Sequence, residues 1–167
     1  RSVIGYLNVM ETRNRNRTSL VLKSSVKTTF ILSYSNFVTE SVAFNNGIMT
    51  DSYYYQKENG KEITSEIIPD GNYIKIINNK RVDSQTFSPV RNNYLQLFFY
   101  SPQNTEKFYS NHYHQFLTVE KVSENKYRLT LPNGSYNIYN YQDRICRSVD
   151  VERRFFTIHF ILKKIEQ

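Results

Sequence analysis

The chain has 167 residues, of which 39% are hydrophobic and 22% are charged, and its formal net charge is +7 at pH 7. This length and hydrophobic content suit a single domain with a packed core over residues 1–167. No run approaches the roughly 20 hydrophobic residues that a membrane-spanning helix needs. The only cysteine, Cys146, excludes an internal disulfide and any cysteine-based zinc cluster.

Turn signals recur along the chain and separate segments of about ten residues that are rich in Val, Ile, Thr, Tyr and Phe. Asn-Gly and Asp-Gly pairs supply the positive φ angles of type I′ hairpin turns. These pairs stand at 46–47, 59–60, 70–71 and 133–134, and candidates without glycine stand at 14–17, 77–81 and 123–126. The pattern predicts an all-β fold, an antiparallel meander of about ten strands forming a strongly curved sheet or incomplete β-barrel.

The clearest predicted strand is TSLVLKSSVKTTFILSY, residues 18–34, in which hydrophobic and polar residues alternate. One face would carry Leu20, Leu22, Val26, Phe30, Leu32 and Tyr34. An unbroken strand of this length would reach about 55 Å at about 3.3 Å per residue. We therefore expect it to coil around a barrel wall or to bend near Ser24 and Ser25.

Glu40, in FVTESVAF, shares the predicted strand face of Val38, Val42 and Phe44. A carboxylate on a hydrophobic face would have a raised pKa and would act as a general acid or bind a ligand headgroup. The favoured alternative is a bulge or sheet edge that turns this side chain to solvent.

Residues 88–102, SPVRNNYLQLFFYSP, predict one short helix near 89–100. Ser88 and Pro89 suit an N-cap and the first helical position, and Pro102 limits the end. Val90, Tyr94, Leu97 and Phe98 fall at helical spacing. The alternative is another buried strand, which YLQLFFY also suits.

The stretch SNHYHQF sets His112 and His114 on one face if it is a strand. A metal site would need further ligands, for which Glu106 and His159 are the candidates. We favour two surface histidines at the start of a strand, so no metal ligand, cofactor or catalytic residue is assigned. Cys146 lies between Arg144 and Arg147, which would lower a thiol pKa, but a small hydrophobic filler in a strand is favoured.

Positive charge is concentrated at the two ends of the chain. Residues 1–34 carry six basic residues and one acidic residue, and residues 144–167 carry six and three. If the first and last strands lie side by side, these ends would form one patch for anionic partners such as phospholipid headgroups, acidic glycans or nucleic acid. Nucleic-acid binding through 13–17 and 153–156 is less favoured, because the first segment occupies a predicted hairpin tip.

Four stretches together resemble a known family. They are IGYLNV (4–9), FNNGIM (44–49), YLQLFFYSPQN (94–104) and LPNGSYNIYNYQDRICRSVDVERRFFTIHFIL (131–162). In that order they resemble a domain-of-unknown-function family of uncharacterised exported bacterial proteins. The resemblance implies a removed signal peptide and a periplasmic or otherwise extracytoplasmic location, and it supplies no catalytic residue. By looser likeness of fold, an antiparallel sheet curled around one helix is similar to the bacterial lipoprotein carriers, which are unclosed barrels.

The leading hypothesis is a non-enzymatic cell-envelope protein that binds a lipid or another hydrophobic or amphipathic small molecule in a curved sheet. The expected lining residues are Phe30, Leu32, Tyr34, Phe98, Tyr127, Phe156 and Phe160. The alternative is a structural or protein-interaction module in which the same residues fill a dry core. A metal-dependent hydrolase using His112, His114 or Glu40 is less favoured than either.

Overall fold

The computed structural model describes residues 4–29, 33–70, 73–86, 88–154 and 156–165. Those residues form thirteen β-strands and one 3-10 helix, so the predicted all-β antiparallel meander is confirmed. The chain divides into two compact units, residues 1–91 and residues 92–167. The expectation of one domain over residues 1–167 stays a prediction. No helix of the described residues is long and hydrophobic enough to cross a membrane.

The first unit contains a seven-stranded antiparallel sheet in which each strand pairs with its neighbour in the sequence. Its strands are β1 (Gly5–Asn14), β2 (Arg17–Thr28), β3 (Tyr34–Asn45), β4 (Ile48–Glu58), β5 (Lys61–Asp70), β6 (Tyr73–Asn78) and β7 (Arg81–Thr86). Residues directly opposite each other on paired strands point to the same face. The inner face therefore carries Leu20, Val42, Ile67 and Ile76, each at most 2% exposed.

The second unit contains a six-stranded antiparallel sheet with the same sequential order. Its strands are β8 (Glu106–Ser110), β9 (Gln115–Ser123), β10 (Lys126–Thr130), β11 (Tyr136–Gln142), β12 (Ile145–Glu152) and β13 (Thr157–Ile161). Within the described strands, β1, β7, β8 and β13 each have a single partner, so both sheets are open. Because β1 and β13 belong to different sheets, the first and last strands do not pair.

Two of the predicted Asn-Gly pairs form type I′ hairpin turns, whereas at Asn133-Gly134, in the longer loop between β10 and β11, only Gly134 has positive φ. Both residues of Asn46-Gly47 and of Asn59-Gly60 have positive φ, as type I′ turns require. β5 ends at Asp70 and β6 begins at Tyr73, but residues 71–72 lie outside the described part of the chain. The turns at 14–17, 77–81 and 123–126 also join consecutive strands.

The prediction of one strand over residues 18–34 is wrong. β2 ends at Thr28, and Tyr34 begins β3 directly opposite it, so the chain reverses between these residues. Ser24 and Ser25 lie in an uninterrupted register, without the expected bend. The intervening segment contains no Gly, Pro, Asn or Asp, which is why composition did not mark the reversal.

The predicted helix near 89–100 is confirmed in position, as a 3-10 helix at Tyr94–Phe98 that is shorter than expected. Its N-cap is Asn93 rather than Ser88. The Asn93 side chain accepts a hydrogen bond from the Leu95 amide at 3.0 Å. The Gln96 side chain accepts one from the Asn93 amide at 2.7 Å, which completes a capping box.

Candidate functional site

Polar side chains cross the inner face of the first sheet where hydrophobic ones are expected. Glu40 of β3 lies opposite Tyr54 of β4, Tyr54 opposite Ser65 of β5, and Ser65 opposite Asn78 of β6. Ser52 lies two residues before Tyr54 and therefore on the same face. We call these five residues the polar cluster. It spans four adjacent strands within the first unit.

Four of the five residues of the polar cluster are buried, and Asn78 is half-buried. Glu40 is 0% exposed, Ser52 and Ser65 are each 3% exposed, and Tyr54 is 5% exposed. The expectation that a bulge or edge turns Glu40 to solvent is wrong. The bulge between β3 and β4 lies at Ala43 and Phe44, and the register around Glu40 is regular, so its side chain stays on the inner face.

Two atoms of the polar cluster lack hydrogen-bond partners among the described residues. These are the Ser52 hydroxyl oxygen and the Asn78 side-chain carbonyl oxygen, and both atoms are buried. Leaving a buried polar group unsatisfied costs about 1–3 kcal/mol. Such groups in a folded protein call for an explanation, for which water, an ion or a ligand are the ordinary candidates.

A chain of amide hydrogen bonds extends from the polar cluster along the same face. The Tyr54 hydroxyl donates to the Gln56 side-chain oxygen at 2.9 Å. The Gln56 side-chain nitrogen donates in turn to the Asn36 side-chain oxygen at 2.9 Å. These bonds fix the Tyr54 ring beside Glu40. The carboxylate, the hydroxyls and the amide oxygen together form a site rich in acceptors, which suits a group that donates several hydrogen bonds.

The predicted lining residues of the second unit lie on a packed hydrophobic face. Tyr127 stands opposite Tyr139, which stands opposite Val149, which stands opposite Phe160. Tyr127 is 4% exposed and belongs to a buried cluster that includes Tyr139 and Val149. Phe98 packs against this cluster, with its ring centroid 5.5 Å from that of Tyr139. The interior around Tyr127 is therefore filled by protein side chains.

The remaining predicted lining residues do not join that row. Tyr34 begins β3 in the first unit and is 9% exposed. Phe156 precedes β13 and is half-buried. Phe30 and Leu32 lie outside the described residues. The predicted set is thus divided between the two units.

The two histidines of SNHYHQF do not start a strand. β8 ends at Ser110 and β9 begins at Gln115, so His112 and His114 lie in the turn between them. His114 has φ 54°, and both side chains are half-buried. The described residues contain no group of three or more His, Cys, Asp or Glu that could hold a metal ion. His159 instead contacts Asp150, with Nδ1 and Oδ1 2.8 Å apart.

Cys146 is a buried thiol of the second unit, as its interpretation as a hydrophobic filler required. Its Sγ donates to the Ser148 carbonyl at 3.6 Å, and it belongs to the buried cluster. Burial raises the pKa of this thiol to about 12. A thiol that keeps its proton at neutral pH is a poor nucleophile.

Sequence reasoning singled out Glu40 but missed the other members of the polar cluster. A signal was available in the alternation of β5 and β6. Ser65 stands between Ile63 and Ile67, and Asn78 follows Ile74 and Ile76, always two residues apart. Each is thus a polar residue at a position that the alternation places on the hydrophobic face of its strand. What the sequence does not contain is the register that brings them together with Glu40.

Comparison with known proteins gives a family and one distant structure. A family model described as a domain of unknown function, DUF6134, matches residues 2–163. No curated protein matches the chain. The crystal structure of a DUF1089 family protein from Pseudomonas aeruginosa is similar with a TM-score of 0.43 and 6% sequence identity, over 93% of this chain and 92% of that one. That similarity is too low to support any inference.

Proposed function

Because the chain belongs to the DUF6134 family, a domain of unknown function, we infer its role from its own residues. We propose that it is a non-enzymatic protein that binds an amphipathic molecule. The observation that carries this proposal is the polar cluster inside the first unit. Glu40 is completely buried there, in the same row of side chains as Asn78 and next to the row of Ser52, and the Ser52 and Asn78 oxygens are buried and unsatisfied.

The chemistry of the polar cluster favours a headgroup that donates hydrogen bonds. Taking an ionised carboxylate out of water costs several kcal/mol unless hydrogen bonds or an opposite charge offset it. The Asn78 side-chain oxygen can only accept a hydrogen bond, and a carboxylate likewise only accepts. An ammonium or polyhydroxyl headgroup would supply the donor that the buried Asn78 oxygen lacks.

The surroundings of the polar cluster favour a hydrophobic remainder of the ligand. Leu22 lies opposite Glu40, and Val42 and Ile67 lie on the neighbouring row of the same face. All three are at most 5% exposed. These side chains are already covered by protein, so a hydrocarbon chain would have to displace part of that packing, and it would gain about 25 cal/mol for each Å² of its own surface that leaves water. The proposed ligand is therefore amphipathic, with its headgroup at the polar cluster.

A cell-envelope location is part of this proposal. It is supported by the resemblance of the sequence to exported bacterial proteins, in which a periplasmic or secreted protein would meet amphipathic molecules leaving a membrane. Immunodetection in periplasmic and cytoplasmic fractions of the producing bacterium would check it. Recovery of the protein with the cytoplasmic fraction alone would contradict it.

The first experiment is mass spectrometry of an organic extract of the purified protein, with metals measured in the same sample. We expect one amphipathic molecule at near one copy per chain. Glu40→Gln, which preserves the shape of the side chain but removes its charge, should lower the retained amount several-fold. Ser52→Ala should lower it less, because it removes a single hydroxyl.

Ile74→Ala is the matched control for these variants. Ile74 is 4% exposed on the inner face of β6, four residues before Asn78, and it belongs neither to the polar cluster nor to the side chains proposed to contact the ligand, so its truncation would cost stability alone. Retention should survive in Ile74→Ala, in proportion to folded protein. Equal loss in Ile74→Ala and Glu40→Gln, or an extract of the wild-type protein without any ligand, would contradict the proposal.

The second candidate, an interaction module with a filled core, is favoured by the packed cluster around Tyr127 in the second unit. Phe160→Ala separates the two candidates there, because Phe160 is half-buried at the end of the same row. Lower ligand retention by a folded Phe160→Ala protein would assign ligand binding to this unit as well. Unfolding alone would favour the filled core.

A further inference from the structure

The outer face of the first sheet, opposite to the polar cluster, exposes hydrophobic side chains on β1, β3 and β4. Tyr6 is 55% exposed, Met10 51%, Phe37 38% and Tyr53 40%. The register places them on one face, because Tyr6 and Phe37 both stand opposite Ser25. Met10 and Tyr53 lie on the same face four residues further along the strands, because Met10 stands opposite Val21, Val21 opposite Ser41, and Ser41 opposite Tyr53.

Two lysines that have no ion-pair partner in the described part of the chain lie among these side chains, and the exposed Glu66 stands opposite Tyr53 at the edge of the same surface. Lys23 and Lys27 of β2 are exposed on the same face, two residues on either side of Ser25. Neither lysine has an ion-pair partner within the described ranges of the chain. The other two cations of β2 and β4 on this face are neutralised. Arg17 lies 3.9 Å from Asp51, and Lys57 lies 2.8 Å from Glu62.

We call Tyr6, Met10, Lys23, Lys27, Phe37 and Tyr53 the docking face. We propose that the docking face binds the surface of a lipid bilayer that contains anionic phospholipid. The lysines supply attraction to anionic headgroups, which is worth about 1 kcal/mol for each basic residue near the surface. Tyrosine rings with polar tips suit the boundary between headgroups and acyl chains.

The composition of the docking face favours a bilayer over single-stranded nucleic acid. Base recognition on an open sheet uses aromatic rings on which successive bases stack. Met10 has no aromatic face, and the side chain of Ile4, 40% exposed just before β1, has none either. Aliphatic and aromatic groups mixed with lysines instead suit insertion at a lipid interface.

The dimensions of the docking face also suit a surface rather than a narrow groove. Neighbouring strands lie about 4.8 Å apart, so β1 to β4 span about 14 Å. Along the strand, Tyr6 and Met10 are separated by about 13 Å. The Phe37 ring is held in place by the Tyr55 ring, whose centroid lies 6.1 Å away in an edge-to-face arrangement. This inference stands independently of the ligand proposed for the polar cluster.

Co-sedimentation with vesicles tests the docking face in the intact protein. Vesicles with equal amounts of phosphatidylglycerol and phosphatidylcholine should bind the protein at about 0.05 M NaCl, and vesicles of phosphatidylcholine alone should bind it far less. Lys23→Gln and Lys27→Gln should each lower the partition coefficient about fivefold, and about 0.5 M NaCl should remove most of the difference. Phe37→Ala should lower binding at both salt concentrations.

Lys75→Gln is the control for loss of charge. Lys75 is an exposed lysine on the outer face of β6, but it is already paired with Asp70 at 2.6 Å. Its replacement should leave vesicle binding within about twofold of wild type. Equal binding to both kinds of vesicle, no binding to either, or equal losses in Lys75→Gln and Lys23→Gln would overturn the proposal. Binding of single-stranded DNA without binding of vesicles would overturn it in favour of nucleic acid.

Discussion

Two buried tyrosines of the second sheet differ in what their hydroxyl groups contact. The Tyr141 hydroxyl donates a hydrogen bond to the Leu97 carbonyl and so ties β11 to the 3-10 helix. The Tyr109 hydroxyl is buried without a hydrogen-bond partner among the described residues. Burial raises the pKa of Tyr109 to about 12 and also raises that of Tyr141. The two side chains are 4% and 6% exposed, so they form a matched pair.

Replacement of each tyrosine by phenylalanine should therefore have opposite effects. Tyr109→Phe removes an unsatisfied hydroxyl and should leave the free energy of unfolding unchanged or raise it by about 1 kcal/mol. Tyr141→Phe leaves the Leu97 carbonyl without its donor and should lower it by about 1–2 kcal/mol. Urea denaturation followed by circular dichroism measures both. A loss in Tyr109→Phe as large as that in Tyr141→Phe would contradict the prediction.

The burial of individual residues was predicted correctly from the sequence where the alternation within a single strand was sufficient. The alternation of β2 placed Leu20, Leu22 and Val26 on one buried face, and each is at most 5% exposed. It failed for Glu40, whose burial depends on a regular register with β2 and β4. The alternation within one strand determines on which face of the sheet a side chain lies. Whether that side chain is exposed to water depends on the neighbouring strands.

Among the described residues, two hairpin turns have positive φ angles at both of their central residues without a glycine. Asn79 and Lys80 join β6 to β7 with φ 45° and 74°, and Asp143 and Arg144 join β11 to β12 with φ 52° and 65°. The left-handed conformation costs an L-residue with a Cβ roughly 1 kcal/mol, and Asn and Asp tolerate it best. The strain in these hairpins is thus concentrated at Lys80 and Arg144.

Lys80→Gly should raise the free energy of unfolding by about 0.5–1 kcal/mol, because it creates the Asn-Gly pair that type I′ turns favour. Lys80→Ala is the control, since it removes the same charge but keeps the Cβ. Thermal denaturation compares the three proteins. A stabilisation by alanine equal to that by glycine would show that loss of charge, and not relief of strain, is responsible.

Element-level prediction depended on whether a turn left a signal in the composition. The Asn-Gly hairpins at 46–47 and 59–60 were located from two letters each, because those residues adopt positive φ at little cost. The reversal between Thr28 and Tyr34 left no such signal. The turn that holds His112 and His114 left only Ser110 and Asn111, without the glycine that marked the other hairpins.

Alkaline pH should destabilise the whole molecule through the buried groups of the second unit. The Cys146 thiol has its pKa raised by burial from 9.0 to about 12. Between these values the unfolded chain loses the thiol proton while the folded chain keeps it. The folded state then binds more protons than the unfolded state, so stability falls as pH rises. The contribution is complete below pH 9.0 and is lost progressively up to pH about 12.

The expected slope for this one group is about 1.4 kcal/mol per pH unit above pH 9.0. Tyr109 and Tyr141 add to the same fall, because their pKa values are raised as well. Cys146→Ala should lose less stability than wild type between about pH 9 and pH 10, measured from urea midpoints at several pH values. Parallel curves for the two proteins would refute a linkage through this thiol.

At the scale of the whole molecule, the sequence was sufficient for the fold class and insufficient for the site. Repeated turn signals and alternation fix an antiparallel meander locally, one hairpin at a time. The expected lining residues were selected only because they lie on predicted hydrophobic faces. Two of them, Tyr34 and Tyr127, belong to different compact units. Grouping residues from distant strands needs the long-range pairings, which no local pattern contains.

The sequential strand order also bears on how the protein acquires its structure during synthesis. Each described strand pairs only with strands adjacent to it in the chain, so its partners are a short loop away. Pairings of this kind keep the sequence separation of contacts low, which favours rapid folding for a β-protein. β1 to β7 all lie before residue 87. A nascent chain that has emerged as far as Thr86 therefore already contains every strand of the first sheet, polar cluster and docking face included.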